Sequence, residues 1–468
     1  MPPAEAALST AAANVTLTQI RTRVSGWGGG GGVPVRAVRP RRADELVAAL
    51  ELARDGGRAC GLIARGMGRS YGDAAQLRDG LVLETTAMKE IELDAERGVV
   101  RAGAGATIGE LLDRLVPTGW MVPVVPGTQH VSVGGAVASD IHGKNHGVDG
   151  TLGSHVEALG LLTAAGDVVE VSPQQDGELF GATLGGMGLT GVILWARIRM
   201  KPVSSAWLSV DTDRVGTLDD ALAVLSSPGG PYRVAWLDLL GPGIRGAVTR
   251  AEHLPAAAVP ARHPAPATVP SRATVPTWFP SALLRPETVR VFNALRYARM
   301  PRAERGHPEP IGSHMFPLDA LDAWPRLYGP RGFVQYQLVV PYGSERVIEA
   351  VIEELRRARV PCYLCVLKDM GETNGAPLSF PIAGWTITLD LPCAADGLWA
   401  ALDRCDESVS AAAGRVYLSK DARMRPAALE AMYPRLGEWR QVRERVDPEG
   451  LWRSDLALRT GLIDGSRR

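Results

Sequence analysis

Apolar and polar positions along the first 200 residues alternate between helical and strand spacing. Asp44 to Arg54 (DELVAALELAR) predicts an amphipathic helix, stopped by Gly56-Gly57. Gly61 to Ala64 and Leu81 to Glu84 read as short strands, and Ile91–Leu93 with Val99–Ala102 as a hairpin. Thr107 and Glu110 form a capping-box pair for a helix ending near Leu115, with Gly119 as its stop. Val156–Thr163 and Val168–Val171 predict a second hairpin around Ala165-Gly166-Asp167. A short helix over Glu178–Leu184 and a long strand over Val192–Met200 complete the set. The class these elements predict is α+β with mixed sheets.

The texture changes after Pro202. Residues 254–286 concentrate proline, which predicts a mobile loop or lid rather than a core. Strand patterns return at Gly332–Val340 and Cys362–Lys368, separated by a helix over Glu345–Arg357. The expected organisation is a first domain over 1–203, a sheet-based second domain over 204–410, and a segment over 411–468 that returns to the first.

Length supports two domains: 468 residues exceed one ordinary core. Lys+Arg and Asp+Glu both number 51, so no basic field points to nucleic acid. No apolar run is long enough to span a bilayer, and the N-terminus lacks a signal-peptide pattern. A cytoplasmic location is therefore expected. Five scattered cysteines suggest free thiols. Cys362 and Cys365 have redox or zinc spacing, but no second pair accompanies them. They read as structural, and no metal site is expected.

The densest chemistry lies in Pro126–His146, PGTQHVSVGGAVASDIHGKNH. Its small residues let backbone approach a flat or charged ligand, and main-chain N–H groups can then hold phosphate. His142, Lys144 and His146 close the run. A second glycine-rich loop, Ala64-Arg-Gly-Met-Gly-Arg-Ser-Tyr-Gly-Asp73, has the same character, with Arg65 and Arg69 available to neutralise phosphate. Gly186-Met-Gly188-Leu-Thr-Gly191 matches the dinucleotide fingerprint in letters only. It follows a helix and opens a strand, the reverse of the order a Rossmann site needs. Lys420, in YLSKD, follows an apolar strand beside Asp421 and Arg423, which suggests a buried pair.

Together, ARGMGRSYGD, PGTQHVSVGGAVASDIHGKNH, ATLGGMGLTGVI, APLSFPIAGW and RVYLSKDAR resemble the vanillyl-alcohol-oxidase-type (PCMH-type) FAD flavoproteins. Within that family they are most similar to the polyprenylphosphoryl-ribose 2′-oxidases. The resemblance runs from Gly26-Trp27 to Asp455. It implies a two-domain FAD-binding fold with a sheet-based substrate (cap) domain. FAD would be held by Arg65, Gly66, Gly68, Arg69, Ser70, Tyr71, Gly127, Thr128, Ser132, Gly134, Gly135, Ala138, Ser139, Ile141, His142, Gly143, Gly188, Gly191, Val192 and Tyr417. Many relatives tether flavin through a histidine where this chain has Arg69, so the resemblance implies non-covalent FAD. It places Trp236, Gln335, Gln337, Lys368, Thr386 and Thr388 in the substrate pocket. Thr386 and Thr388 stand where relatives carry asparagine and cysteine, and this puts substrate identity in question.

The reaction so implied is oxidation of a secondary sugar hydroxyl by hydride transfer to the flavin. Lys420, His142 and Tyr71 are the catalytic candidates, with the choice of base among them open. The leading substrate is a polyprenylphosphoryl-ribose oxidised at its 2-OH. A separate NADH-dependent reductase would then complete an epimerisation, and a quinone would accept electrons at the inner membrane face. The alternative is a secondary-metabolite enzyme oxidising a soluble sugar, nucleoside or aminoglycoside.

Overall fold

The computed structural model describes residues 17–55, 61–260 and 265–464. Gly56-Gly57, Cys60, the first 16 residues and positions 261–264 of the proline-rich stretch lie outside them. The chain opens with strands β1 (Ile20–Val24), β2 (Val33–Val38), β3 (Leu62–Arg65) and β4 (Leu81–Glu84), and helix α1 (Ala43–Asp55) lies between β2 and β3. They form a four-stranded sheet in the order β1-β2-β4-β3, with β2 and β3 both parallel to β4.

A second sheet follows, built from β5 (Ile91–Asp94), β6 (Val99–Gly103), β7 (Val156–Leu162), β8 (Val168–Val171) and β9 (Val192–Arg199). It is antiparallel in the order β5-β6-β9-β7-β8, so both predicted hairpins form. Helix α2 (Ile108–Leu115) starts at Thr107, whose hydroxyl accepts from Glu110 N while Glu110 accepts from Thr107 N. That reciprocal cap satisfies two donors that the helix start would otherwise leave open. Helix α3 (Val133–Ala138) and helix α4 (Gly177–Thr183) pack over the same core.

The second half is one antiparallel sheet of eight strands. In chain order they are β10 (Trp207–Val215), β11 (Tyr232–Asp238), β12 (Arg245–His253), β13 (Ala303–Pro310), β14 (Phe333–Pro341), β15 (Leu364–Met370), β16 (Gly384–Pro392) and β17 (Arg415–Val416). The spatial order is β13-β10-β12-β11-β15-β16-β14-β17. The last strand thus comes from the returning C-terminal segment. One face carries Val334, Tyr336, Leu338 and Val340 of β14. It is buried in a core shared with helices α5 (Leu218–Ser226), α7 (Glu345–Arg357) and α8 (Leu398–Ala411). Burying that many branched and aromatic side chains is the dominant stabilising term.

The described part of the proline-rich stretch forms short 3₁₀ turns and a two-residue parallel bridge, Ala273–Thr274 to Leu321–Asp322. It leads into helix α6 (Pro286–Arg299), which the sequence pattern does not announce because its apolar residues, Val289 apart, point mostly outward. Val291, Phe292 and Leu295 are exposed there, as are Trp278 and Leu283 before it. After α8 come α9 (Pro426–Met432), α10 (Leu436–Val446) and α11 (Asp455–Thr460), which stitch the C-terminus to the first sheet. Leu62 N donates to Leu451 O, and Arg453 N donates to Leu62 O. Cys362, Cys365, Cys393 and Cys405 are free thiols.

Candidate active site

The polar face of the large sheet floors a cavity of about 670 Å³. Directly opposed residues in antiparallel strands share a face. Trp236 lies opposite Val366, Val366 opposite Thr388, and Thr388 opposite Gln337. The next row sets Leu364 opposite Asp390 and Asp390 opposite Gln335. Gln335 Nε2 donates to Asp390 Oδ1 at 2.6 Å. The loop after β3, the 126–144 segment, the turn at Met187–Gly191 and the 417–420 segment complete the cavity around this floor.

These walls suit a ligand with a flat ring and a pyrophosphate. Among the described residues, the main-chain N–H groups of Gly66 to Ser70 have no acceptor in the chain. Five free donors in a row at a cavity wall make an anion-binding nest. Gly66 lets this loop lie on α3, since a Cβ there would meet Ser132 Oγ at 2.0 Å. Gly127 also lines the cavity, and a Cβ there would meet nothing within 4 Å. Neither protein neighbours nor a left-handed backbone demand that glycine, so the space beside it is left for a ligand. Arg69 Nε and His142 Nδ1 are buried without a protein partner at the same cavity. The donor set fits FAD, with residues 66–70 able to hold its phosphates.

At the sheet side, cations crowd together. Lys420 ends a 3₁₀ turn (Leu418–Lys420), and its Nζ lies 5.5 Å from the centre of the Tyr71 ring. Burial, then the charge of Lys368, pull Lys420 down to about 7, while Asp390 opposes that pull. Burial pushes Asp390 up to about 7. Burial also lowers Lys368 and Lys144 to about 8 each. His142 is held well below its ordinary range by burial, then by Lys368, His146 and Lys420. Its ring packs against Tyr417 at 5.1 Å and Phe380 at 5.5 Å. Burial drives the Tyr71 phenol well above its usual range. A buried amine that loses its proton near neutrality, beside neutral hydrogen-bonding groups, is a competent proton acceptor.

Most residues singled out in the sequence line this cavity. Lys420, His142 and Tyr71 do, as do Trp236, Gln335, Lys368 and Thr388. So do Gly66, Gly68, Arg69, Ser70, Gly127, Thr128, Ser132, Gly134, Gly135, Ala138, Ser139, Ile141, Gly143, Gly188, Gly191 and Tyr417. Arg65, Val192, Gln337 and Thr386 stand behind the lining. The Arg65 guanidinium donates to Ala75 O and Ser25 O, so it braces the loop and does not face an anion. Arg69 lies over the Trp27 ring at 3.7 Å. The expected pairing of Lys420 with Asp421 and Arg423 does not form. Asp421 pairs with Arg459, and Arg423 pairs with Asp403 and Asp406.

Sequence reasoning passed over Asp390 and Glu309. Asp390 is betrayed by a period-two run, Thr386, Thr388, Asp390, on a strand otherwise apolar. Glu309 lines the cavity with His314 and hydrogen-bonds it at 3.2 Å. No local signal marks it, because it comes from a sheet-edge strand.

The family model described as FAD binding domain matches residues 34–172. The chain is 38% identical over 455 residues to decaprenylphosphoryl-beta-D-ribose oxidase of Mycolicibacterium smegmatis, covering 94% of this chain and 98% of that one. It is also 38% identical over 368 residues to an uncharacterized protein in the mprA 5′ region of Streptomyces coelicolor, covering 76% of this chain and 100% of that one. A more distant match is alditol oxidase of a Streptomyces species, 30% identical over 184 residues, 39% of this chain and 42% of that one.

Proposed function

The chain belongs to the FAD-dependent oxidoreductase family that includes decaprenylphosphoryl-β-D-ribose oxidase, and on that premise we propose that it oxidises a secondary sugar hydroxyl to a ketone. The observation that carries this reading is the meeting of Lys420, Tyr71 and His142 in the same cavity as the Gly66–Ser70 nest. The alcohol loses its O–H proton to Lys420 Nζ. Its carbon loses hydride with two electrons, and the C=O bond forms. Bound FAD supplies the acceptor for that hydride. Lys420 is suited to the proton because burial disfavours its charged form, while nearby Asp390 stabilises the ammonium once formed. Tyr71 and His142 hold the hydroxyl in line by hydrogen bonds. FAD is non-covalent in this reading, since Arg69 stands at the tethering position and is engaged with Trp27.

The substrate we favour is a polyprenylphosphoryl-ribose, oxidised at its 2-OH as the first half of an epimerisation. Support comes from the apolar surface of Trp278, Leu283, Val291, Phe292 and Leu295, which leads to Arg296 and Met300 in the cavity lining. Such a rim suits a polyprenyl chain and peripheral contact with the inner membrane face. Among the described residues, no helix is long and apolar enough to cross a membrane. An NADH-dependent reductase acting on the keto sugar and a quinone reoxidising the flavin complete this reading. A second reading, a soluble amino sugar, is favoured by Glu309, a carboxylate in the same cavity. Anaerobic bleaching of bound flavin decides between them. Polyprenylphosphoryl-ribose should reduce it and soluble glycosides should not; the reverse result would overturn the lipid-linked substrate.

A further inference from the structure

Behind His142 lies a chain of hydrogen bonds whose direction can be worked out. Thr386 Oγ1 is 2.8 Å from Leu338 O. A carbonyl oxygen only accepts, so the hydroxyl proton must lie on that line. Thr386 Oγ1 can then only accept from its other neighbour, the Gln337 amide at 2.9 Å. The atom facing Thr386 must therefore be the amide nitrogen. That nitrogen has a second N–H, and its second neighbour is His142 Nε2 at 2.9 Å. His142 Nε2 must accept, so the ring proton sits on Nδ1.

The reversed amide fails on the same count. It would set Gln337 Oε1 against a threonine oxygen with no proton left to give. Thr386 and Gln337 are fully buried, so their link is out of reach of water, while His142, 7% exposed, meets the cavity. Water cannot relax the choice. The arrangement leaves His142 Nδ1 buried and without a partner in the chain. His142 lines the cavity, so this N–H is the donor the ring keeps for a bound molecule.

We propose that Thr386 is a positioning residue which, through Gln337, locks His142 as the Nδ1–H imidazole, making His142 a hydrogen-bond donor and leaving proton removal to Lys420. An imidazole in this tautomer has no lone pair to offer the cavity. It steadies negative charge as charge grows on the reacting oxygen, the role of an oxyanion-type donor. The depressed basicity of His142 agrees with a ring that stays neutral. The proposal deepens the flavin-and-alcohol reading of the cavity, but its first test needs neither substrate nor cofactor.

That test is nitrogen NMR of protein labelled with ¹⁵N-histidine, FAD-free and FAD-loaded, with His142 assigned by its loss in His142→Gln. The wild type should show a protonated Nδ1 and a bare Nε2 at neutral pH, and Thr386→Ser should match it. Thr386→Val removes the acceptor, so the amide can turn and the proton should move to Nε2. Flavin reduction by substrate should then fall roughly 10- to 100-fold, the scale on which outer partners of an active histidine act. Thr386→Ser should restore the rate, and the pH midpoint should stay where Lys420 sets it. A wild-type His142 protonated on Nε2 would overturn the proposal, as would Thr386→Val with an unchanged tautomer and rate. Should Thr386→Val fail to fold, Gln337→Met decides. It removes the N–H that holds Nε2, so the Nδ1–H form should lose its preference, and an unchanged wild-type tautomer would count against us. Failure of sugar oxidation would leave the tautomer result standing, which separates the two readings.

Discussion

Lys420 owes its chemistry to being surrounded. Taken out of water and set near Lys368, its ammonium is held at about 7. If the neutral amine takes the alcohol proton, flavin reduction should rise with pH and level off above an apparent pKa near 7. Asp390 raises the basicity of Lys420, so Asp390→Asn should shift that rise to lower pH; rapid-mixing reduction across pH measures it, and a shift to higher pH would be the wrong sign. Lys420→Ala should keep its yellow FAD spectrum and slow reduction by about 100- to 1000-fold, the loss of one transition-state contact worth about 2.7–4 kcal/mol. Near wild-type reduction with full flavin would remove Lys420 from the chemistry. Arg69 makes a different statement at the same scale. With its guanidinium over Trp27 and no nucleophile in its place, acid precipitation should leave FAD in the supernatant. Flavin retained in the pellet would mean a covalent link elsewhere.

The elements divide into those written locally and those written across the fold. Capping of α2, the two hairpins and α7 were legible because their signals are a few residues long: Thr107 with Glu110, Ala165-Gly166-Asp167, and the amphipathic run from Glu345. The helix-to-strand order around Gly186–Gly191 was legible too, and it argued correctly against a Rossmann site. Helix α6 was hidden because most of its apolar residues, Val291, Phe292 and Leu295, face out. The role of Arg65 was misread because only the folded loop brings its guanidinium to Ser25 O and Ala75 O. Asp390 was missed since its partner Gln335 is 55 residues away and joins it through strand register. Two glycines test the loops as elements. Gly127→Ala should fold as stably as the wild type without FAD, yet bind FAD more weakly, because its methyl group enters only the ligand's space. Gly66→Ala should weaken both, since its methyl group collides with Ser132 Oγ at 2.0 Å. Thermal unfolding of FAD-free protein and flavin titration check both; equal FAD affinity in Gly127→Ala would mean that the flavin lies elsewhere.

At the scale of the molecule, the C-terminal segment acts as a clasp. Arg459 on α11 binds Asp73, just beyond Tyr71, at 2.7 and 2.9 Å, and Asp421, just beyond Lys420, at 2.9 Å. Tyr71 N also donates to Ser419 O at 2.9 Å. One guanidinium therefore joins the two loops that carry catalytic candidates. Arg459→Ala takes the guanidinium from two carboxylates, one of them 3% exposed at its side chain. It should cost about 3–5 kcal/mol of stability and slow flavin reduction together, read by denaturant unfolding and rapid mixing. Unchanged stability would show that the clasp is ornamental. The cavity takes its walls from residues as far apart as Trp27 and Lys420. A ligand filling it ties distant stretches of chain together, so occupancy and folding are linked. At a thousandfold excess over its Kd, such a ligand adds about 4.1 kcal/mol to the folded state. Cells short of riboflavin would accordingly hand more newly made chains to their proteases, so the amount of this enzyme should follow vitamin supply even when its message level is constant.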